Sequence, residues 1–219
     1  MKISKFAPLL IVTILFLSAC TLDPPIFPKT TSSSRTTTTT KSGYYLKGTL
    51  NNQAVDWEVT DNITGWLSGS NSEMTTDSQG DISGGLSAAI VASAGLEPEI
   101  QIEFHTFQVA AGGDKSAYFH SFITTGPWIF AASSNIPVTP QTLVIDYIDD
   151  AGKAYTSEGM QTGNSANIVS VTPIAATGSS AESLKIKLTF NCNLYPIDGS
   201  SGTITLTNAE ATVKLEDRL

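Results

Sequence analysis

The side chains able to do chemistry are few and scattered. His105 and His120 are the two histidines, and an imidazole pair could serve a metal or an acid–base exchange. His105, however, shares a strand face with Glu103 and Phe107, and His120 falls in a short helical segment. Both are therefore expected to be exposed or hydrogen-bonded structural residues. The neighbouring carboxylates Glu97/Glu99, Asp149/Asp150 and Glu216/Asp217 are no better placed. A glycosidase needs two acids facing each other across a cleft, and adjacency along the chain does not provide that. Asp146, Asp149 and Asp150 lack the alternating-aspartate-and-glycine spacing of a calcium loop. No Gly-x-Ser-x-Gly, His-Glu-x-x-His, Cys-x-x-Cys or phosphate-binding glycine loop occurs. The reading is non-catalytic, with no cofactor and no metal.

Aromatic side chains are the better lead. Trp57, Trp66 and Trp128, with Tyr44, Tyr45, Tyr155 and Tyr195, offer flat faces of the kind that stack on sugar rings. Trp57 alternates with Val55 and Val59, which assigns it to the core. Trp66 and Trp128 border glycine-rich turns and are the candidate ligand-binding residues. Cys192 occupies an inward position of a strongly alternating strand and is expected to act as a small buried hydrophobe.

The elements that must position these residues are strands. Leu184, Ile186, Leu188, Phe190, Cys192 and Leu194 alternate with Lys185, Lys187, Thr189, Asn191 and Asn193, a period of two that only a half-buried strand explains. Tyr45 to Leu50 and Gln53 to Val59 flank Asn51-Asn52, a hairpin signal because Asn tolerates positive φ. Leu143 to Tyr147 and Lys153 to Thr156 flank a second turn at Asp149-Asp150-Ala151-Gly152. Ile63 to Ser70 reads as a strand followed by a polar loop from Asn71 to Gly80. Asp114 to Ile123 reads as the one helix, capped by Asp114. The expected fold is all-β: a β-sandwich or flattened barrel of about nine to eleven mostly antiparallel strands with one short helix.

The N-terminus says where the chain resides. Lys2 and Lys5 precede an apolar run from Phe6 to Leu17, too short for a bilayer span, which takes roughly 20 residues. Residues 1–19 are therefore expected to be a cleavable signal peptide. Leu17-Ser18-Ala19-Cys20 resembles the bacterial lipobox, and the resemblance implies acylation of Cys20 and membrane lipid as a partner. Residues 20–42 are rich in Thr, Ser and Pro and read as a disordered tether. Residues 43–219 read as a single β-rich domain. With 12 basic and 20 acidic residues, the chain lacks the basic footprint of a nucleic-acid binder.

The stretches Leu46 to Trp57, Asp146 to Tyr155, Phe190 to Tyr195 and Leu206 to Ala211 resemble those of small uncharacterised all-β lipoproteins of Bacteroidota. That resemblance implies a cell-envelope location, anchored by lipid to the outer membrane, and supplies no catalytic residues. Three function classes follow. A tethered carbohydrate-binding or accessory module should show an aromatic surface beside polar side chains. A structural lipoprotein that contacts other envelope proteins should show a broad apolar or strand-edge surface. A hydrolase should show a pocket holding two acids, one with a perturbed pKa.

Overall fold

The computed structural model describes residues 41–60, 65–93, 98–132, 141–178 and 180–217. The expected signal peptide, Cys20 and most of the expected tether lie outside these residues. Eleven strands follow in order: β1 (Lys41–Leu50), β2 (Gln53–Thr60), β3 (Trp66–Thr76), β4 (Ile82–Ala92), β5 (Glu99–Val109), β6 (Gly126–Phe130), β7 (Thr142–Ile148), β8 (Ala154–Thr156), β9 (Ser165–Ile174), β10 (Ser183–Pro196) and β11 (Ile204–Glu216). One helix, α1 (Lys115–Phe119), lies between β5 and β6. None of the described helical structure is long and apolar enough to cross a membrane.

The strands form an all-β sandwich whose two sheets are joined at their margins, which makes it equally a flattened barrel. One sheet runs β2-β1-β11-β10-β9-β6 and the other β3-β4-β5-β7-β8. At one seam β2 meets β3 in parallel through the single pair Val59↔Trp66. At the other, β6 meets β7 in parallel through Ile129↔Thr142 and Phe130↔Leu143. There β8 also bridges β7 to the end of β10, through Asp146↔Thr156 and Tyr195↔Thr156. All other pairings are antiparallel.

The period-two pattern lands where alternation requires. Leu184, Ile186, Leu188, Phe190, Cys192 and Leu194 are all buried on β10. Opposite them Ile100, Ile102 and Phe104 of β5 and Leu143 and Ile145 of β7 are buried too. Truncating one large side chain of such a core costs about 3–5 kcal/mol. A column of aromatic rings runs between the seams: Trp66 on Trp57 at 4.2 Å, Trp57 on Tyr147 at 6.3 Å and Tyr147 on Tyr155 at 5.9 Å. Asn51 and Asn52 take φ of 46° and 65° in the β1–β2 hairpin, the conformation a primed turn needs.

Three boundaries differ from the expected ones. The polar stretch from Asn71 is strand rather than loop, since β3 runs to Thr76 and pairs along its whole length with β4. It lacks an apolar rhythm because β3 borders a seam and buries little. The helix ends at Phe119, far short of Ile123. Asp114 does cap it, accepting from the Ala117 amide at 3.0 Å, but five residues cannot propagate without tertiary support. Phe119, Phe122 and Ile123 are buried nonetheless. β1 begins at Lys41 rather than Tyr45, so it takes in Lys41 and Ser42 from the end of the expected tether.

Candidate functional site

Each seam between the sheets opens into a cleft where the backbone ladders are short, one to three pairs long. At the β7–β8–β10 seam the cleft measures about 500 Å³ and is acidic: Glu103, Asp146 and Glu158 line it with Thr156, Tyr195 and Ile197. Alternation explains the first two acids. Ile102 and Phe104 face the core, so Glu103 and His105 face outward on β5. Leu143, Ile145 and Tyr147 do the same for Asp146 on β7.

Glu158 arrives on the segment after β8, which is held by side chains imitating a strand. Gln161 accepts from the Asn193 amide at 2.9 Å and donates to the Asn193 carbonyl at 2.8 Å. It also donates to the Ser157 carbonyl at 2.7 Å. The Ser157 hydroxyl, fully buried, accepts from the Ile145 amide at 2.8 Å. Tyr195 donates its hydroxyl to the Met160 carbonyl and lies against Gly159, where a Cβ would come within 2.8 Å of the ring. The aromatic wall and the third acid are thus fixed by one loop.

The electrostatics of this cleft are strained. Burial pushes the Asp146 carboxyl up to about 6; the Thr156 hydroxyl pulls it down, and Glu103 and Glu158 push it further up. His105 Nε2 stands 3.2 Å from Glu103 Oε2, near enough for attraction but off the line of a hydrogen bond. The Glu103 carboxylate raises His105 above the usual imidazole range against the pull of burial, and Glu158 and Asp146 add to the rise. Gly85 makes room for the acid: a Cβ there would meet Glu103 Oε1 at 2.4 Å.

The second cleft, about 510 Å³, opens at the β2–β3 seam and is lined by hydroxyls. Ser42 and Tyr44 of β1, Thr60 of β2 and Ser68 of β3 face Ser183 of β10 and Lys214 of β11. No carboxylate is among the described residues that line it. Burial pushes the Tyr44 phenol up while Lys214 pulls it down, so the phenol stays a neutral donor.

Among the described residues, Glu158 Oε1, Thr60 Oγ1 and Ser183 Oγ are buried polar side-chain atoms without a hydrogen-bond partner, and His105 Nε2 has only its ion pair with Glu103. Thr60 and Ser183 line the hydroxyl-lined cleft and Glu158 lines the acidic one, whereas His105, beside Glu103, is not among the acidic cleft's lining residues. An unmet buried polar group costs about 1–3 kcal/mol, so each of these atoms is a place where a water or a ligand group would be held.

The residues expected from the sequence fall elsewhere. Trp128, read as a ligand residue, is a core residue instead. It is 2% exposed, stands edge-on to Phe104 at 5.6 Å, and donates its indole N–H to the Thr124 carbonyl at 2.9 Å. Its border with a glycine-rich turn misled, because Gly126 belongs to β6 itself. Trp66 is half-buried with one face on Trp57, and it lines neither cleft. Trp57 and Cys192 are buried as expected, and burial pushes the Cys192 thiol far up.

Each histidine has its own carboxylate, His120 meeting Glu182 at 2.8 Å. The Asp149 carboxylate is spent on its turn, accepting from Ala151 and Lys153, both at 2.9 Å. Cys20 and Glu97 lie outside the described residues. Glu158 was missed because it lies in a loop, and the signal for Asp146 was a lone charge inside the apolar run of β7. Comparison with family models, with curated proteins and with solved structures returns no match.

Proposed function

We propose that the chain is a lipid-anchored, non-catalytic cell-envelope protein that binds a neutral carbohydrate in its acidic cleft. The observation that carries the ligand class is the unpartnered buried Glu158 Oε1, in one cleft with Glu103, Asp146 and the Tyr195 ring. Sugar hydroxyls donate to carboxylates, and an aromatic ring covers the apolar side of a pyranose. Among the described residues no three carboxylate, imidazole or thiol groups converge to hold a metal, so the acids suit a row of hydroxyls better than one cation.

Anchoring rests on Leu17-Ser18-Ala19-Cys20. Each buried lipid methylene contributes about 0.8 kcal/mol, so several acyl chains hold a protein to a membrane almost permanently. The resemblance to Bacteroidota lipoproteins supports the outer membrane as that membrane. Replacing Cys20 with Ser is expected to abolish incorporation of labelled fatty acid and to release the protein from membranes; retention of both overturns the anchor.

The binding reading is tested by thermal melting of the full chain in detergent against a panel of polysaccharides. A ligand at a hundred times its dissociation constant adds about 2.7 kcal/mol to the native state. One neutral glycan class should raise the melting temperature, and Glu103→Gln or Tyr195→Ala should remove that rise. A flat panel, or a rise that survives both variants, overturns it.

A second reading has its own observation. An Asp146 carboxyl titrating at about 6 is in the range of a general acid, with Glu103 or Glu158 as the partner base of a hydrolase. Turnover of the bound glycan that Asp146→Asn abolishes would replace the binding module by that enzyme.

A further inference from the structure

We infer that the hydroxyl-lined cleft at the β2–β3 seam is a second and separate binding site, for an acidic sugar: a hydroxylated ring bearing one carboxylate. It does not depend on the reading of the acidic cleft.

The argument begins with what is left unsatisfied. Ser183 lines the cleft fully buried, and neither its hydroxyl nor that of Thr60 has a hydrogen-bond partner among the described residues. A hydroxyl both donates and accepts, so the complement of two orphaned hydroxyls is a ligand that can do either, as a sugar ring can. Apolar side chains supply the remaining wall, with Val59 and Leu67 near the half-buried Tyr44 ring. That mixture of alkyl groups, one aromatic and several hydroxyls matches the two-sided character of a pyranose. A cleft of about 510 Å³ lies in the range of small-molecule sites.

The charge comes from a second, independent observation. Lys185 of β10 and Lys214 of β11 are directly opposite each other in the ladder, and like charges in that position repel. Lys214 lines the cleft and meets Glu216 at 2.9 Å. An ammonium has three donors, so it retains capacity toward the cleft. The Lys185 ammonium stands 5.2 Å from the centre of the Tyr44 ring and forms no ion pair among the described residues. Of the two facing cations Lys214 has one acid and Lys185 has none among the described residues, and no carboxylate is among the described residues that line the cleft. One ligand carboxylate at this rim would balance the pair.

The test is isothermal titration calorimetry of the full chain in detergent with galacturonate and glucuronate oligosaccharides. The neutral galactose and glucose oligosaccharides and inorganic phosphate are run alongside. A uronate is expected to bind at least tenfold more tightly than its neutral counterpart. Lys214→Gln and Lys185→Gln should each weaken it several-fold, and Glu103→Gln should leave it unchanged. Lys185 is half-buried on the outward face of β10, so melting curves of both lysine variants separate lost binding from lost folding. Absence of uronate binding overturns the assignment, as does equal binding of the neutral sugar. Phosphate competing as well as the uronate identifies a bare anion site and overturns the sugar assignment. Loss of uronate binding in Glu103→Gln would place the ligand in the acidic cleft and likewise overturn it.

Discussion

The two clefts have nearly the same volume and the same structural origin but opposite chemistry. Both open where the sheets exchange strands and the backbone ladder thins. At the β7–β8–β10 seam the lining combines positions on β5 and β7 with the ends of β8 and β10 and the segments that follow them, and it carries three carboxylates. At the β2–β3 seam it comes from strand ends and the segment between β9 and β10, and it carries hydroxyls and an ammonium. The difference teaches that the sandwich fixes where a cavity can form, while the strand-end residues fix what it can hold.

The largest effect should come from breaking what the clefts share. Trp57 stacks between Trp66 at the hydroxyl-lined seam and Tyr147, which leads toward the acidic one. Trp57→Ala is expected to cost about 3–5 kcal/mol, measured by urea denaturation, and to weaken ligand binding at both seams. A loss confined to one cleft would show that the ring column does not couple them.

The next effect separates the clefts by pH. The native Asp146 carboxyl keeps its proton to about pH 6, whereas its ordinary value is 3.8. Between these values the folded state binds more protons than the unfolded one, so stability falls as pH rises through that window. His105 acts in the same direction: its raised pKa gives stability that is complete below the ordinary imidazole value and is lost as pH climbs through the raised one. Asp146→Asn should therefore stabilise the protein at neutral pH by on the order of 2 kcal/mol and flatten the profile between about pH 4 and 6. Melting curves across that range, with Lys214→Gln as the control at the other cleft, check this. A profile unchanged in Asp146→Asn breaks the contrast.

A smaller effect concerns the orphaned hydroxyl. Ser183→Ala removes a buried polar group that has no partner, so the empty protein should gain about 1 kcal/mol while uronate affinity falls. Destabilisation by thermal melting would mean that the hydroxyl is satisfied after all. The smallest effect is at Gly85. An Ala there meets the movable end of Glu103, while at Gly84 it would meet the Glu73 backbone carbonyl at 2.0 Å. Gly85→Ala should cost no more than about 1 kcal/mol yet lower the His105 pKa, read by NMR titration, because the carboxylate is displaced. An unmoved His105 would show that Glu103 does not set it.

Much of the architecture was decided locally. The alternation of β10, the Asn51-Asn52 turn and the inward positions of Trp57 and Cys192 follow from side-chain periodicity and φ preference, which neighbouring residues settle among themselves. So does the outward placement of Glu103 and His105. What the sequence could not decide is which outward residues meet. Asp146 and Glu158 join Glu103 only because β7 pairs with β5 and the loop after β8 folds back through Gln161. Thr60 and Ser183, far apart in the chain, come together only where the sheets close on each other. Trp128 misled for the same reason: its flanking glycine is a local signal, and its burial against Phe104 is set by tertiary packing. Periodicity assigns a residue to a face, since the backbone repeat is fixed within a few residues. The sites are set by long-range pairing, whose register depends on how the whole core packs.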